Sequence, residues 1–299
     1  MKSLMHLSCT IKHRNWKQCK MGKTTYREVL SRASSFLESK TIEGYSIQFL
    51  FLERKKWSKT DWLIHMNDPI STKDQEMIDQ DMALLLKHLP PQYILGYADF
   101  YGHRLKVTKD TLIPRPETEE LVQLCLDETS DERLDVVDIG TGTGAIAISL
   151  KAKRSSWNVS AVDLSEQALA VAKENANQES VDICFYHGDT LAPVSAEKFD
   201  IIISNPPYIS IAEWDLMDES VRTYEPKMAL FAEDQGLAIY KKIAKEAKDL
   251  LKSKGKIFLE IGFTQGAAVK RIFEDVFPDK KVRIRKDLFG NERMIIVTD

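Results

Sequence analysis

The segment Ser204-Asn205-Pro206-Pro207-Tyr208-Ile209 combines residue types that could hold a planar nitrogen. Proline has no N–H and fixes φ, so two in a row stiffen the loop and leave backbone carbonyls free to accept. The Asn205 side-chain oxygen and the Pro206 carbonyl can together take both hydrogens of one NH₂ group. An amide or exocyclic amine nitrogen is a poor nucleophile because its lone pair is delocalised. Two fixed acceptors would orient it and favour rehybridisation as a new bond forms. Tyr208 would wall the planar group, and Pro207 completes the candidate substrate set. No strong base is required, since the nitrogen sheds its proton readily once cationic. Asn-Pro and Pro-Pro also make plain turns, but this loop directly follows an apolar strand in an alternating strand–helix run, which favours the chemical reading.

A second constellation lies upstream. Asp138-Ile139-Gly140-Thr141-Gly142-Thr143-Gly144-Ala145 follows one apolar run and opens another. Its glycines permit a tight turn and close approach of a ligand to the backbone. Gly140, Gly142 and Ala145 fit the dinucleotide pattern as well, so the loop alone leaves NAD open. The acids shift the balance. Asp138 precedes the loop, where a carboxylate would face an amine-bearing or cationic ligand. Asp163 ends the next strand, placed to accept from ribose hydroxyls. Asp189 follows the third, where the loop of an S-adenosylmethionine site borders adenine. Each acid by itself could be a helix cap. Three at successive strand tips, with the glycine loop, favour a site for S-adenosylmethionine and in-line displacement at its methyl group. The candidate cofactor set is Asp138, Gly140, Thr141, Gly142, Gly144, Asp163, Leu164, Asp189, Thr190 and Asn205.

The elements that must position these residues can be read from periodicity. Strands are expected at Asp135–Ile139, Asn158–Asp163, 182–186, Phe199–Ser204 and 256–261, with helical stretches such as 166–177 and 236–253 between them. That alternation predicts a doubly wound α/β sheet. Runs at Lys281–Lys286 and 293–297, divided by Gly290-Asn291, predict a terminal antiparallel hairpin. Upstream, Tyr26, Val29, Leu30, Ala33 and Leu37 recur at helical spacing. Ser58 to Asp61 supplies a cap, and a helix is expected over 72–87, ended by Leu89-Pro90-Pro91. Residues 97–100 and 105–107 read as strands around a turn at Gly102-His103. The organisation expected is a basic extension over 1–20, a helical domain over 21–90, a hairpin and linker over 91–118, and the catalytic domain over 119–299.

The 299 residues are 43% hydrophobic and 29% charged, with a net charge of −3, an ordinary balance for a soluble chain. No global basic footprint favours sequence-specific nucleic-acid binding. The basic stretch from Lys254 to Lys286, with Lys256, Lys270, Arg271, Lys280, Lys281, Arg283 and Arg285, reads first as a solvated face, the alternative being contact with RNA. Cys9, Cys19, Cys125 and Cys184 form no C-x-x-C pair, so neither a metal site nor a disulfide framework is expected and a reducing compartment fits. No apolar run nears the roughly 20 residues that span a bilayer. A cytoplasmic enzyme is expected. Lys2, Lys12, Arg14, Lys17 and Lys20, with no acidic residue among the first twenty, would suit a transit peptide, but the favoured reading is a disordered extension before a helix that opens at Met21.

With these motifs in place, the chain resembles class I methyltransferases acting on amide or exocyclic amine nitrogens. Ile113-Pro114-Arg115-Pro116-Glu117-Thr118-Glu119, Gln92-Tyr93-Ile94-Leu95-Gly96 and Tyr224-Glu225-Pro226 with Ala229-Leu230 narrow it to the release factor glutamine methyltransferase family, from about residue 24 onward. The resemblance implies a Rossmann-like seven-stranded sheet with a C-terminal antiparallel hairpin, after a small helical domain that helps to dock the substrate. That substrate would be a peptide chain release factor, methylated on the glutamine amide of its Gly-Gly-Gln loop. Asn205 and Pro206 would bind that amide with Tyr208 beside it. Gly140, Gly142 and Asp163 would hold the cofactor, and Asp189 would border adenine. Arg115 and Glu117 either contact substrate or form a buried ion pair that sets domain orientation, and Glu225 carries the same two readings. An adenine-N6 methyltransferase on DNA or RNA could use the same loop, but it must flip its base and read its neighbours, and no further recognition domain follows the loop. An NAD-dependent oxidoreductase would leave Asn205–Tyr208 without a purpose.

Overall fold

The computed structural model describes residues 24–299. The basic extension, Cys9, Cys19 and the helix expected to open at Met21 lie outside the described residues. The described chain forms two compact units that meet between Ile94 and Leu95.

The first unit is helical: α1 (Tyr26–Glu38), α2 (Tyr45–Lys55), α3 (Lys59–His65) and α4 (Thr72–Leu85), with α5 (Pro91–Leu95) at its end. Thr25 and Glu28 make a capping box that starts α1, and Ser58 with Asp61 does the same for α3. Val29, Leu30, Ala33 and Leu37 of α1, Ile47, Leu50 and Phe51 of α2, and Ile78, Met82 and Leu85 of α4 are all buried, with α2 packed against both α1 and α4. The 3–4 spacing of these residues puts them on one face of each helix. Leu89-Pro90-Pro91 ends α4 as expected, but Pro91 also starts a short helix, because a proline is tolerated in a first turn.

The second unit opens with the hairpin β1 (Tyr97–Phe100) and β2 (His103–Lys106). Its turn sits one residue earlier than expected. Tyr101 and Gly102 both take positive φ, 49° and 86°, the two-residue geometry that suits hairpin twist. His103 is thereby the first residue of β2, paired with Phe100. The hairpin is fastened further on: Asn175 accepts from the Lys106 amide and donates to the carbonyls of Lys106 and Thr143.

Then follow α6 (Pro116–Asp127), β3 (Asp135–Ile139), α7 (Ala145–Lys153), β4 (Asn158–Asp163), α8 (Glu166–Gln178), β5 (Cys184–His187), β6 (Phe199–Ser204), α9 (Glu219–Tyr224), α10 (Ala238–Leu250), β7 (Leu251–Glu260), α11 (Gly266–Val276), β8 (Lys281–Lys286) and β9 (Glu292–Thr298). The seven strands from β3 onward lie in the order β5-β4-β3-β6-β7-β9-β8. The first five are parallel; β9 runs antiparallel to both β7 and β8. This is the Rossmann-like sheet with a C-terminal antiparallel hairpin that the sequence predicts.

Alternate residues of the central strands enter opposite cores, as the period of two requires. Val136, Ile201, Ile203 and Phe258 join Leu121 and Val122 of α6 and Ile148 of α7 on one face. Val137, Ile202, Ile257 and Leu259 join Tyr240, Ile243 and Ala244 of α10 and Phe273 of α11 on the other. Several boundaries differ from expectation: the helix over 72–87 ends at Leu85, the strand over 105–107 is His103–Lys106, and the strand over 256–261 is Leu251–Glu260. The strand over 182–186 is observed at Cys184–His187, and the helix over 236–253 stops at Leu250. The chain turns extended at Leu251 because Lys252 is drawn to the base of the sheet by Asp135 and Asp200, 2.6 and 2.7 Å away.

Candidate active site

Strand order reverses between β3 and β6, so the loops that follow these two neighbours splay apart at the carboxyl edge of the sheet, the crevice where ligands bind in open α/β folds. The glycine loop follows β3 and the Asn205 loop follows β6.

Gly140, Gly142 and Gly144 all take positive φ, 70°, 56° and 83°. A Cβ at Gly140 or Gly142 would meet nothing within 4 Å, whereas one at Gly144 would meet Ile148 at 3.0 Å and Ala172 at 3.3 Å. The first two thus border open space, and the third lets α7 pack against α8. Asp163 braces the loop, its carboxylate accepting from the amides of Gly142 and Ser165 at 2.8 Å each. Asp138 is fully buried. Its Oδ2 accepts from Thr141 at 2.6 Å, while its Oδ1 has no well-formed hydrogen bond. The Ala147 amide lies close enough to favour the charged form, but burial outweighs both contacts and lifts Asp138 to about 7. An orphaned carboxylate oxygen beside an open glycine cradle fits a ligand carrying an ammonium group. Leu164 is half exposed at the tip of β4.

The third strand-tip acid is held differently. Asp189 forms an ion pair with Lys242 of α10, and Thr190 donates to Glu246 at 2.6 Å. Both residues anchor their loop to α10, and Asp189 remains half exposed.

In the second loop, Asn205 Nδ2 donates to the Thr118 hydroxyl at 2.9 Å, and that hydroxyl donates to Glu260 Oε2 at 2.6 Å. No hydrogen bond among the described residues occupies the Asn205 side-chain oxygen or the Pro206 carbonyl. Gln265 grips the Tyr208 carbonyl at 2.9 Å, and the backbone of Ile209 bonds to Leu230 and Ala232. Gly236 is required here, since a Cβ would fall 2.0 Å from the Tyr208 oxygen. Burial pushes the Tyr208 hydroxyl up to about 12, so the ring stays a neutral wall. Asn205, Pro206 and Tyr208 open onto a cavity of about 230 Å³ whose other walls include Arg115, Val221 and Leu230. A side chain of a macromolecule fits within that space.

Arg115 pairs with Glu225 at 2.6 Å, and Glu225, buried, also accepts from the Ile113 amide. The structure therefore places the ion-pair reading on Arg115–Glu225, while Arg115 still borders the cavity. Glu117 makes no such pair but lies near enough to Tyr208 and Glu260 to raise both. Arg115→Ala leaves a buried carboxylate without its partner. We expect a loss of about 1–3 kcal/mol in urea unfolding, less than for a fully buried pair because Arg115 is a third exposed.

Thr118, Glu260, Gln265 and Gly236 are site residues that the motif reading passes over. Glu260 was findable, as it sits at the tip of β7 just as Asp138 and Asp163 sit near theirs. Three of the nine cations in the basic stretch have carboxylate partners: Lys280 pairs with Asp299, Arg283 with Glu128 and Lys270 with Glu274. No group of three or more potential metal ligands occurs among the described residues, and none of their helices is long and apolar enough to cross a membrane.

The buried acids predict a pH dependence. Asp138 and Glu260 are each raised by burial to about 7. Between about pH 4 and 7 the folded chain thus holds more protons than the unfolded one, and the stability present below the unfolded values is lost as pH rises through 7. Thermal unfolding of the unliganded protein should show a higher midpoint at about pH 5 than at about pH 8. Asp138→Asn should flatten that slope; an unchanged slope contradicts this account.

Residues 118–223 match the methyltransferase small domain and residues 28–96 the PrmC N-terminal domain. A release factor glutamine methyltransferase of Enterococcus faecalis is 56% identical over 91% of this chain and 98% of its own length. One from Bacillus subtilis is 38% identical over 91% of this chain and 96% of its own. Among solved structures, a methyltransferase from Pyrococcus furiosus shares the fold, with TM-score 0.52 and 18% identity over 74% of this chain and 98% of that one. With relatives this similar along nearly their whole length, and the Asn205 loop and glycine cradle built as described, the chain belongs to the release factor glutamine methyltransferase family.

Proposed function

We propose that this protein methylates the side-chain amide nitrogen of a release-factor glutamine, with Asn205, Pro206 and Tyr208 as the residues that receive it. The observation that carries the reading is that Asn205 and Pro206, whose side-chain oxygen and carbonyl are unoccupied acceptors, line one cavity together with Tyr208. Their two lone pairs suit the two hydrogens of a carboxamide NH₂. Holding both hydrogens fixes the plane of the amide, and with it the nitrogen lone pair, which stands perpendicular to that plane, facing the donor methyl. As the nitrogen becomes cationic, the same acceptors stabilise its positive hydrogens, an interaction stronger in the transition state than before it. The surplus proton then leaves to water. Tyr208 confines the plane.

The donor is S-adenosylmethionine, which when bound supplies an electrophilic methyl group on a sulfonium. Asp138, Gly140, Gly142 and Asp163 would hold it, with Thr141 fixing Asp138 and Gly144 and Leu164 shaping the cradle. Asp189 and Thr190 would border its adenine. We further propose that the helical residues up to about 90 help to dock the release factor.

Mass spectrometry of a release factor treated with the protein and donor tests the substrate. Fragmentation should place one added methyl on the glutamine side chain of the Gly-Gly-Gln loop. A methyl on any other residue would refute the assignment. Cofactor docking has its own signature. An ammonium group beside Asp138 favours the ionised carboxylate, so binding at about pH 6.5 should release a proton. Calorimetry in buffers of different ionisation enthalpy should detect it, and Asp138→Asn should abolish it along with much of the affinity.

A further inference from the structure

We infer that Glu260, acting through Thr118, fixes which end of the Asn205 carboxamide faces the substrate, so that both are positioning residues; this deepens the amide-nitrogen reading and rests on it. Thr118 and Glu260 are both buried, at 5% and 2% exposed. A threonine hydroxyl has one hydrogen to give. Thr118 gives it to Glu260 Oε2 at 2.6 Å, so towards Asn205 its oxygen can only accept. The Asn205 atom 2.9 Å away must then be the donor Nδ2, and the carboxamide oxygen is turned away from Thr118. Only this end can accept from an incoming NH₂. The opposite rotamer would present NH₂ to NH₂, donor against donor.

The direction of the chain depends on the charge of Glu260. As a carboxylate it must accept, and every bond points as described. Once protonated it can donate to Thr118, which is then free to donate to Asn205 and release the amide to rotate. Arg293 and Arg115 favour the carboxylate and Glu117 opposes it; Tyr208 and Tyr240 also face it as neutral phenols, the latter donating to the Glu260 backbone carbonyl at 2.9 Å. Burial outweighs the arginines and sets the carboxyl at about 7, within reach of ordinary pH.

Two measurements on the full chain test the inference. The first needs no substrate: the ¹⁵N side-chain amide resonance of Asn205, assigned by its loss in Asn205→Asp, followed from about pH 5.5 to 8.5. It should shift with a midpoint near that of Glu260, and the shift should vanish in Glu260→Gln and Thr118→Val and persist in Thr118→Ser. A resonance indifferent to pH in the parent protein overturns the inference. The second is kinetic: Thr118→Val should lower kcat on a release factor about 10–100-fold with the KM for the donor unchanged, and Thr118→Ser should restore it. Full kcat in a folded Thr118→Val also overturns it. A parent protein inert towards release factors would sink the substrate reading alone, and the resonance would still decide the positioning role.

Discussion

Asn205→Ala should lower methyl transfer about 10³-fold while the fold and most of the donor affinity survive. The magnitude follows from what removal of one transition-state hydrogen-bonding group costs elsewhere, about 10²–10³ in kcat, with the added loss of orientation of the amide plane. The side chain is partly exposed at the end of β6, and its truncation leaves behind only the Thr118 hydroxyl, which keeps its bond to Glu260. Structural damage is therefore small. Asn205→Asp should fail too, although it keeps the shape. Its second oxygen would confront the acceptor side of Thr118, and a negative charge would sit beside Glu260. Single-turnover assays at saturating donor separate the chemical step from binding. A rate within tenfold of the parent would remove Asn205 from the chemistry.

The second large effect lies at the glycine cradle. Gly140→Val should abolish detectable donor binding, a loss of at least about 100-fold, while the protein still folds. At φ 70° a non-glycine residue costs about 1–2 kcal/mol, more for a β-branched one. That is tolerable for a domain of this size, and a Cβ there has nothing within 4 Å apart from its chain neighbours. The new side chain would fill the space reserved for the donor. Equilibrium dialysis with labelled donor, beside a thermal melt, checks both halves. Donor affinity retained in a folded Gly140→Val would place the cofactor elsewhere.

These two loops were legible in the sequence for a common reason. Each is a contiguous run whose unusual residue types, glycines in one and Asn-Pro-Pro-Tyr in the other, sit at the end of an apolar strand, and strand ends are where an α/β sheet binds ligands. What stayed hidden joins residues far apart along the chain. Thr118 and Glu260 are separated by 142 positions, and Asn205 lies 87 from Thr118. No local pattern reports a hydrogen bond of that kind. The ion pair Arg115–Glu225, 110 positions apart, was left between two readings for the same reason. Asp189 has a partner of the same hidden kind: Lys242 comes from a helix whose packing the pattern does not reveal. Boundaries slipped where a tertiary contact decided them, as with Lys252 drawing Leu251 out of helical geometry. The hairpin turn moved because the strand twist selects two left-handed residues, Tyr101 and Gly102, over Gly102-His103.

The most direct measurement of the central claim is transfer of labelled methyl from S-adenosylmethionine to three acceptors in parallel: a release factor, the same factor with alanine in place of its loop glutamine, and unmethylated DNA. Label on the intact factor alone is the result predicted. Label on the alanine variant, or on DNA with the intact factor bare, would contradict it.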